Sequence, residues 1–269
     1  MSYLLAIFAG LIQGITEFLP ISSSGHLLIF HDIFQLDFFD DKFFDVALHL
    51  ATLLAVVVFF KKDIEKIIRG FFSSLFNWNL ANNFNQRLAW LIIIGTLPAV
   101  FFGYFFDDLI TAYLRSPYLV ATALIIVGLL FFVAEKIAQK TKTIQELRPL
   151  DALLMGLAQA VALIPGVSRS GITIIAGLGR KLKREEAARF SFLLSAPVIF
   201  GAGLKALIDL GSWSAINWPV LILSFIAAAI SGYLSIKFLI SYLSRYSLRV
   251  FAWYRLAVGG LILLWLFFF

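Results

Sequence analysis

The sequence predicts an all-α polytopic membrane protein built from two inverted-topology repeats, each a re-entrant helix hairpin plus three transmembrane helices. Three observations predict it. Apolar stretches of membrane-spanning length recur from end to end, the loops between them alternate in charge, and two polar, proline-broken segments share one pattern. Hydrophobic residues make up 61% of the chain and charged ones only 14%. A soluble domain carries about a quarter charged residues, so the solvent for this much apolar surface must be lipid. The apolar segments are spread evenly, so 1–269 reads as one integrated membrane domain, with repeat one at about 1–140 and repeat two at about 145–269.

A helix needs about 20 apolar residues to cross the hydrocarbon. Segments 44–60, 88–106, 118–135, 190–209, 219–241 and 250–269 meet that need within a few residues. Two further regions are apolar but broken. Region 3–34 is interrupted by Pro20-Ile21-Ser22-Ser23-Ser24-Gly25, and region 150–178 by Pro165-Gly166-Val167-Ser168-Arg169-Ser170-Gly171. The first of these also holds Gln13 and Glu17, poor choices for a simple anchor. With no basic stretch or small-residue cleavage site at the start, no removable signal peptide is expected.

The loops sort by charge. One set is basic: Lys61, Lys62, Lys66, Arg69 and Arg87; Lys136, Lys140, Lys142 and Arg148; Arg180, Lys181, Lys183, Arg184 and Arg189; Arg245 and Arg249. The other set is poor in Lys and Arg: Asp32, Asp37, Asp40, Asp41 and Asp45; Asp107 and Asp108 with Arg115; and 206–218 with Asp209. The basic set is expected to be cytoplasmic. The alternation holds only if 3–34 dips in and returns on the outer face and 150–178 does so on the cytoplasmic face. The two halves are then inverted and both termini lie outside. An ungapped alignment of Leu11-Ile12-Gln13 with Leu157-Ala158-Gln159 also lays Ser22-Ser23-Ser24-Gly25 on Ser168-Arg169-Ser170-Gly171. Inverted repeats with discontinuous helices put binding sites near the bilayer midplane. Irregular backbone is tolerated there only against protein or a polar cavity, so the two tips are expected to meet.

Gln13 and Glu17 are spaced to share one helical face. An intramembrane carboxylate is expensive and suggests function, although it could also serve at a wet interface or as a structural partner of an Arg. Ser22, Ser23, Ser24 and Gly25 suit an anion-binding nest of backbone N–H groups, and Ser-rich turns are also common on their own. His26 follows, with an imidazole able to move a proton near neutral pH. In the second loop Arg169 offers phosphate a bidentate guanidinium, and Ser168, Ser170 and Thr173 can add hydroxyls. Gly171 opens a helix whose N-terminus favours an anion. Arg169 also reads as the counter-ion of Glu17, and the two roles are compatible. His31 reads as a solvated loop residue and His49 as a packing residue. Arg255 either snorkels to headgroups or reaches the site, Asp151 reads as a helix cap, and 180–189 reads as a solvated loop.

The absence of cysteine excludes disulfides and thiolate chemistry and leaves the redox compartment open. No His-x-x-His or clustered-Asp metal motif is present. The formal charge of +6 sits in short loops, a pattern of membrane orientation and not of nucleic-acid binding. The site chemistry stops at a lipid phosphate or pyrophosphate, either hydrolysed or transported.

Two motifs go further. The run Gln13-Gly-Ile-Thr-Glu17-Phe-Leu-Pro-Ile-Ser-Ser-Ser-Gly-His26 resembles the first signature of the bacterial undecaprenyl-pyrophosphate phosphatases, the bacitracin-resistance (BacA/UppP) family. Pro165-Gly-Val-Ser-Arg-Ser-Gly-Ile-Thr173 resembles the second. The resemblance implies removal of the terminal phosphate from undecaprenyl pyrophosphate. That recycles the carrier lipid of peptidoglycan synthesis and gives bacitracin resistance. It implies a bacterial inner-membrane protein whose site opens to the outer face. Glu17, Ser23, His26 and Arg169 would be catalytic; Gln13, Ser22, Ser24, Gly25, Ser168, Ser170 and Thr173 would bind phosphate. A divalent cation, Mg²⁺ or Ca²⁺, would assist, with Glu17 as its ligand. Ser23 is the expected nucleophile with His26 or Glu17 as base; direct attack by water is the other scheme. Membrane lipids are the expected surroundings, nucleic acid is not a partner, and a homodimer stays open. The competing class is a lipid-phosphate flippase or transporter, since apposed hairpins are also a transporter design.

Overall fold

The computed structural model describes residues 3–34, 42–114, 116–209 and 217–268. Among them are eleven α-helices and no strand. The first broken region forms α1 (Tyr3–Phe18) and α2 (Ser23–Phe34); the second forms α7 (Pro149–Val161) and α8 (Arg169–Gly179). Between them run α3 (Lys42–Phe59), α4 (Lys61–Phe76), α5 (Phe84–Tyr113) and α6 (Pro117–Ile137); α9 (Arg184–Asp209), α10 (Trp218–Leu243) and α11 (Arg249–Phe268) follow. Five of these, α5, α6, α9, α10 and α11, are long and apolar enough to span a membrane. Together with α3 they match the six expected spans, and the protein is a multi-pass membrane protein. Its outer surface is apolar, with Phe105 65% and Phe268 72% exposed. Lipid is the solvent that suits exposed apolar area on this scale.

The structure corrects several boundaries. The basic stretch after residue 60, expected as loop, is the helix α4, bent 87° from α3. Arg87 lies in the first turn of α5, and Arg184 and Arg189 belong to α9, not to a loop. The helix α5 runs on through 107–108 to Tyr113. His31 falls within α2. The acidic residues Asp37, Asp40 and Asp41 and the loop residue Arg115 lie outside the described residues, as do the side chains of His31, Asp32, Asp107, Asp108 and Asp209.

Each broken segment folds into two short helices that pack on one another, α1 on α2 and α7 on α8. Each pair then grips a long helix from the other half, α1 along α10 and α7 along α5. Small residues permit this close approach. A Cβ added to Gly10 or Gly14 of α1 would run into the backbone of Ser224 or Ala228 on α10, and one added to Gly156 of α7 would meet the backbone of Gly95 on α5. Ser224, Ser231 and Ser235 keep the α10 face polar-neutral by donating to their own helix carbonyls. Of the other long helices, α6 and α11 pack together, and α9 packs on α3 and α8.

The basic segments gather at one end of the bundle. Glu135, at the end of α6, accepts from Arg184 (2.7 Å twice), Lys140 (2.6 Å) and the Leu248 N–H (2.9 Å). Asp151 accepts from the Arg148 N–H at 3.0 Å, so it caps α7 from its third position, and it also pairs with Arg180 at 2.5 Å. Arg180 and Arg184 are thus built into the fold and are not merely solvated.

The α1–α10 seam gives a direct test. Gly14→Leu should overpack it and cost about 1 to 3 kcal/mol, lowering the detergent melting temperature. Gly201→Ala, at a helical glycine with nothing near the added carbon, should leave it unchanged or raise it slightly.

Candidate functional site

The last two turns of α1 present Gln13 and Glu17 inward, both buried. Pro20 has no N–H to continue the helix, and the chain breaks over residues 19–22. In the second hairpin Pro165 and Gly166 break the chain in the same way, with Gly166 at φ +90°. At both breaks a serine restarts the helix in the left-handed region, Ser22 at φ +78° and Ser168 at φ +72°. Left-handed backbone is uncommon for a residue other than glycine. Ser22 and Ser168 are the residues the ungapped alignment pairs, and they do the same work: Ser22 Oγ accepts from the Gly25 N–H at 3.3 Å, Ser168 Oγ from the Gly171 N–H at 3.2 Å.

The two tips meet. Glu17 Oε1 accepts from Arg169 Nη2 at 2.6 Å. Glu17 Oε2 accepts from Ser23 Oγ at 2.7 Å and Gln13 Nε2 at 3.3 Å. The Gly166 N–H donates to Ser24 Oγ at 3.4 Å, so the backbone of one tip touches the serines of the other. The buried carboxylate therefore has a cationic partner and a hydroxyl and amide donor, which an ion pair in low dielectric needs to be tolerated. Arg169 Nη1 also reaches the Ser191 carbonyl at 3.4 Å.

Other predicted residues are placed differently. Ser22 and Ser168 spend their hydroxyls as helix-cap acceptors instead of facing a cavity as free donors. Thr173 is fully buried, donating to the Arg169 carbonyl at 2.7 Å and sharing a hydrogen bond with Ser191 Oγ at 2.6 Å. Ser170 pairs with Ser168 at 3.3 Å. His26 stands apart from the Glu17 network. Its Nδ1 contacts the Ser22 carbonyl at 2.7 Å and its Nε2 contacts Tyr254 Oη at 2.8 Å. It borders an apolar cavity of about 370 Å³ lined also by Ile12, Ile15, Ile29 and Tyr254.

Three participants escaped the sequence. His49, read as a packing residue, brings Nδ1 to 2.9 Å from Gln13 Nε2 and 3.4 Å from Glu17 Oε2. Ser191 and Tyr254 carry no motif of their own. Arg255 does not snorkel; it reaches the two tips of the site without joining the Glu17 network. It is fully buried and donates to five backbone carbonyls: Pro20 in the first tip, Gly166 and Val167 in the second, and Ala123 and Leu124 on α6. Breaking a helix leaves carbonyls without partners, and one guanidinium supplies them for both breaks at once.

A sequence model of the family described as bacitracin resistance protein BacA matches residues 6–261. Among curated relatives, an undecaprenyl-diphosphatase of Rubrobacter xylanophilus is 47% identical, the match covering 97% of each chain. One of Teredinibacter turnerae is 44% identical over 97% of this chain and 98% of its own. One of Saccharophagus degradans is 42% identical over 97% of each.

Arg255→Leu should strip both tips of their shared donor and cost about 3 kcal/mol or more, since each buried unpaired carbonyl costs roughly 1 to 3. Arg255→Lys, with three donors in place of five, should fall between it and wild type in thermal stability. Equal stability of all three proteins would remove the staple from the account.

Proposed function

The chain belongs to the bacitracin resistance protein BacA family, and on that footing we propose that it is an undecaprenyl-diphosphatase, as its relatives are named. It hydrolyses undecaprenyl pyrophosphate to undecaprenyl phosphate and inorganic phosphate, recycling the carrier lipid of peptidoglycan synthesis and giving bacitracin resistance. The observation that carries the reading is the pairing of Ser23 Oγ with Glu17 at 2.7 Å, beside the Arg169 guanidinium at 2.6 Å. A carrier that only moves phosphate needs no activated nucleophile, so the transporter reading draws no support from this pair.

Arg169 is the phosphate clamp. The terminal phosphoryl group competes with Glu17 for the guanidinium, which neutralises the charge that builds on the phosphoryl oxygens in the transition state. Glu17, released from Arg169, takes the proton from Ser23. Ser23 Oγ attacks the terminal phosphorus, the bond to the bridging oxygen breaks, and undecaprenyl phosphate leaves. Water then cleaves the phosphoserine, and phosphate departs. The 2.7 Å contact supports Glu17 over His26 as the base for Ser23. Gln13 and His49 hold Glu17 in place. His26, between the Ser22 carbonyl and Tyr254, stands where it can serve the leaving phosphate or order the loop.

The expected divalent cation finds a thin donor set. No group of three His, Asp or Glu side chains comes together among the described residues, and both Glu17 oxygens are engaged. Glu17 alone does not make a metal site, so no step is routed through a cation. The bacterial cytoplasmic membrane, with the site opening to the outer face, is the proposed setting. The basic end of the bundle, which the positive-inside rule puts in the cytoplasm, supports it.

In detergent, the protein should release phosphate from a prenyl pyrophosphate. Arg169→Ala should lower the rate by about 10³-fold, the scale of losing one transition-state donor, with gel-filtration behaviour unchanged. Ser23→Ala should fall as far. Activity persisting in Ser23→Ala would transfer the attack to water. The described residues make no metal site of their own, so the cation we propose would be carried in on the pyrophosphate oxygens of the substrate. Stripping divalent cations with EDTA should slow release and Mg²⁺ or Ca²⁺ restore it, and an unchanged rate removes the cation from the proposal.

A further inference from the structure

The helix α4 is used by no step above, yet its surface is sorted into three strips. At 3.6 residues per turn these strips point about 120° apart. Ile67, Gly70 and Ser74 face the protein; Gly70 and Ser74 are buried, and Ser74 Oγ accepts from Trp90 Nε1 of α5 at 3.0 Å. Ile68, Phe72, Leu75 and Phe76 form a second strip along the C-terminal half, all exposed, with Phe76 at 91%, while the charged Lys61 and Glu65 lie on this side nearer the start. Lys62, Lys66 and Arg69 form the third, also exposed. A helix packed on a protein in water needs only the first and third strips.

The direction of α4 accounts for the second. The preceding helix α3 has 18 residues, about 27 Å of rise, close to the hydrocarbon thickness of about 30 Å. After it the chain turns 87°. Had it run straight on, α4 would leave the bilayer and hold Ile68, Phe72, Leu75 and Phe76 in water, where exposed apolar area is unfavourable. Turned through a right angle, α4 runs along the surface of the bilayer. Trp78 follows its end and packs on Trp90 at 5.4 Å between ring centres, and tryptophan is enriched at this depth.

We propose that α4 is a membrane-surface helix that sinks Ile68, Phe72, Leu75 and Phe76 into the bilayer interface and binds anionic phospholipid headgroups through Lys62, Lys66 and Arg69. This is the arrangement by which a basic amphipathic helix binds a charged leaflet. The Glu65–Arg69 pair at 2.5 Å is exposed on both sides and holds Arg69 weakly, so a phosphate can displace Glu65. The Asp63–Arg189 contact at 2.9 Å fixes α4 to α9, the helix that carries Ser191.

The chain has no cysteine, so single cysteines can be spin-labelled without background. Ile68→Cys, Phe72→Cys, Phe76→Cys, Lys62→Cys and Arg69→Cys would be placed in nanodiscs of mixed phosphatidylcholine and phosphatidylglycerol. Labels at 68, 72 and 76 should collide with oxygen more than with a water-soluble nickel chelate, and those at 62 and 69 the reverse. Nickel access at all five positions, or access by neither reagent at 68, 72 and 76, overturns the proposal. In native mass spectrometry, the triple variant Lys62→Gln, Lys66→Gln, Arg69→Gln should lose several-fold in retention of phosphatidylglycerol over phosphatidylcholine. An unchanged ratio overturns the headgroup assignment.

Discussion

A broken helix inside a membrane exposes backbone carbonyls that lipid cannot satisfy, and this protein has two such breaks facing one another. Arg255 resolves both with one side chain, since its three guanidinium nitrogens reach five carbonyls of the two tips and of α6, Nη2 alone meeting three of them. Everything polar in the site inherits its position from that staple. The Pro20 and Gly166 carbonyls are fixed relative to each other, so Glu17, a turn before one break, and Arg169, just after the other, arrive within hydrogen-bond distance. A lysine or a pair of waters could satisfy some of these carbonyls, but the planar, permanently charged guanidinium holds them all in one rigid geometry.

The Glu17–Arg169 pair is the second constraint. Burying two charges is favourable only if each keeps good partners. Here Ser23, Gln13 and His49 surround the carboxylate, and the Ser191 carbonyl takes part of the guanidinium. The arrangement is stable without substrate, yet it is the kind a phosphate can exchange, because a phosphoryl oxygen offers Arg169 the same charge and geometry as Glu17. The resting ion pair and the proposed reactive state differ by one exchange of partners, with little motion of backbone.

Packing supports the site through small residues. The glycines of α1 and α7 let each hairpin lie against a long helix of the other half, so both tips are clamped from outside as well as joined within. At the basic end, the acidic residues Glu135 and Asp151 tie four separate chain segments together. That end carries much of the charge of the protein, and α4 extends it sideways along the surface.

The sequence by itself determined the membrane class, because hydropathy is a property of composition along the chain. It also determined the two broken segments, because proline, serine and glycine act locally on the backbone. The residue types Glu17, Ser23 and Arg169 were legible for the same reason, as were the two signatures that carry the family. Helical periodicity in 61–76 was present too, but its six charged residues read as loop. Only the tertiary structure decided who touches whom. The partners of Arg255 are backbone carbonyls, which every residue has and no motif announces. His49 joins Glu17 because α3 passes beside α1, and His26 turns to Tyr254 because α11 passes beside α2. Ser22 and Ser168 act as caps because the chain at each break brings their hydroxyls onto the Gly25 and Gly171 N–H groups. Identity and pattern fix what a residue can do; distance across the fold fixes which of those things it does.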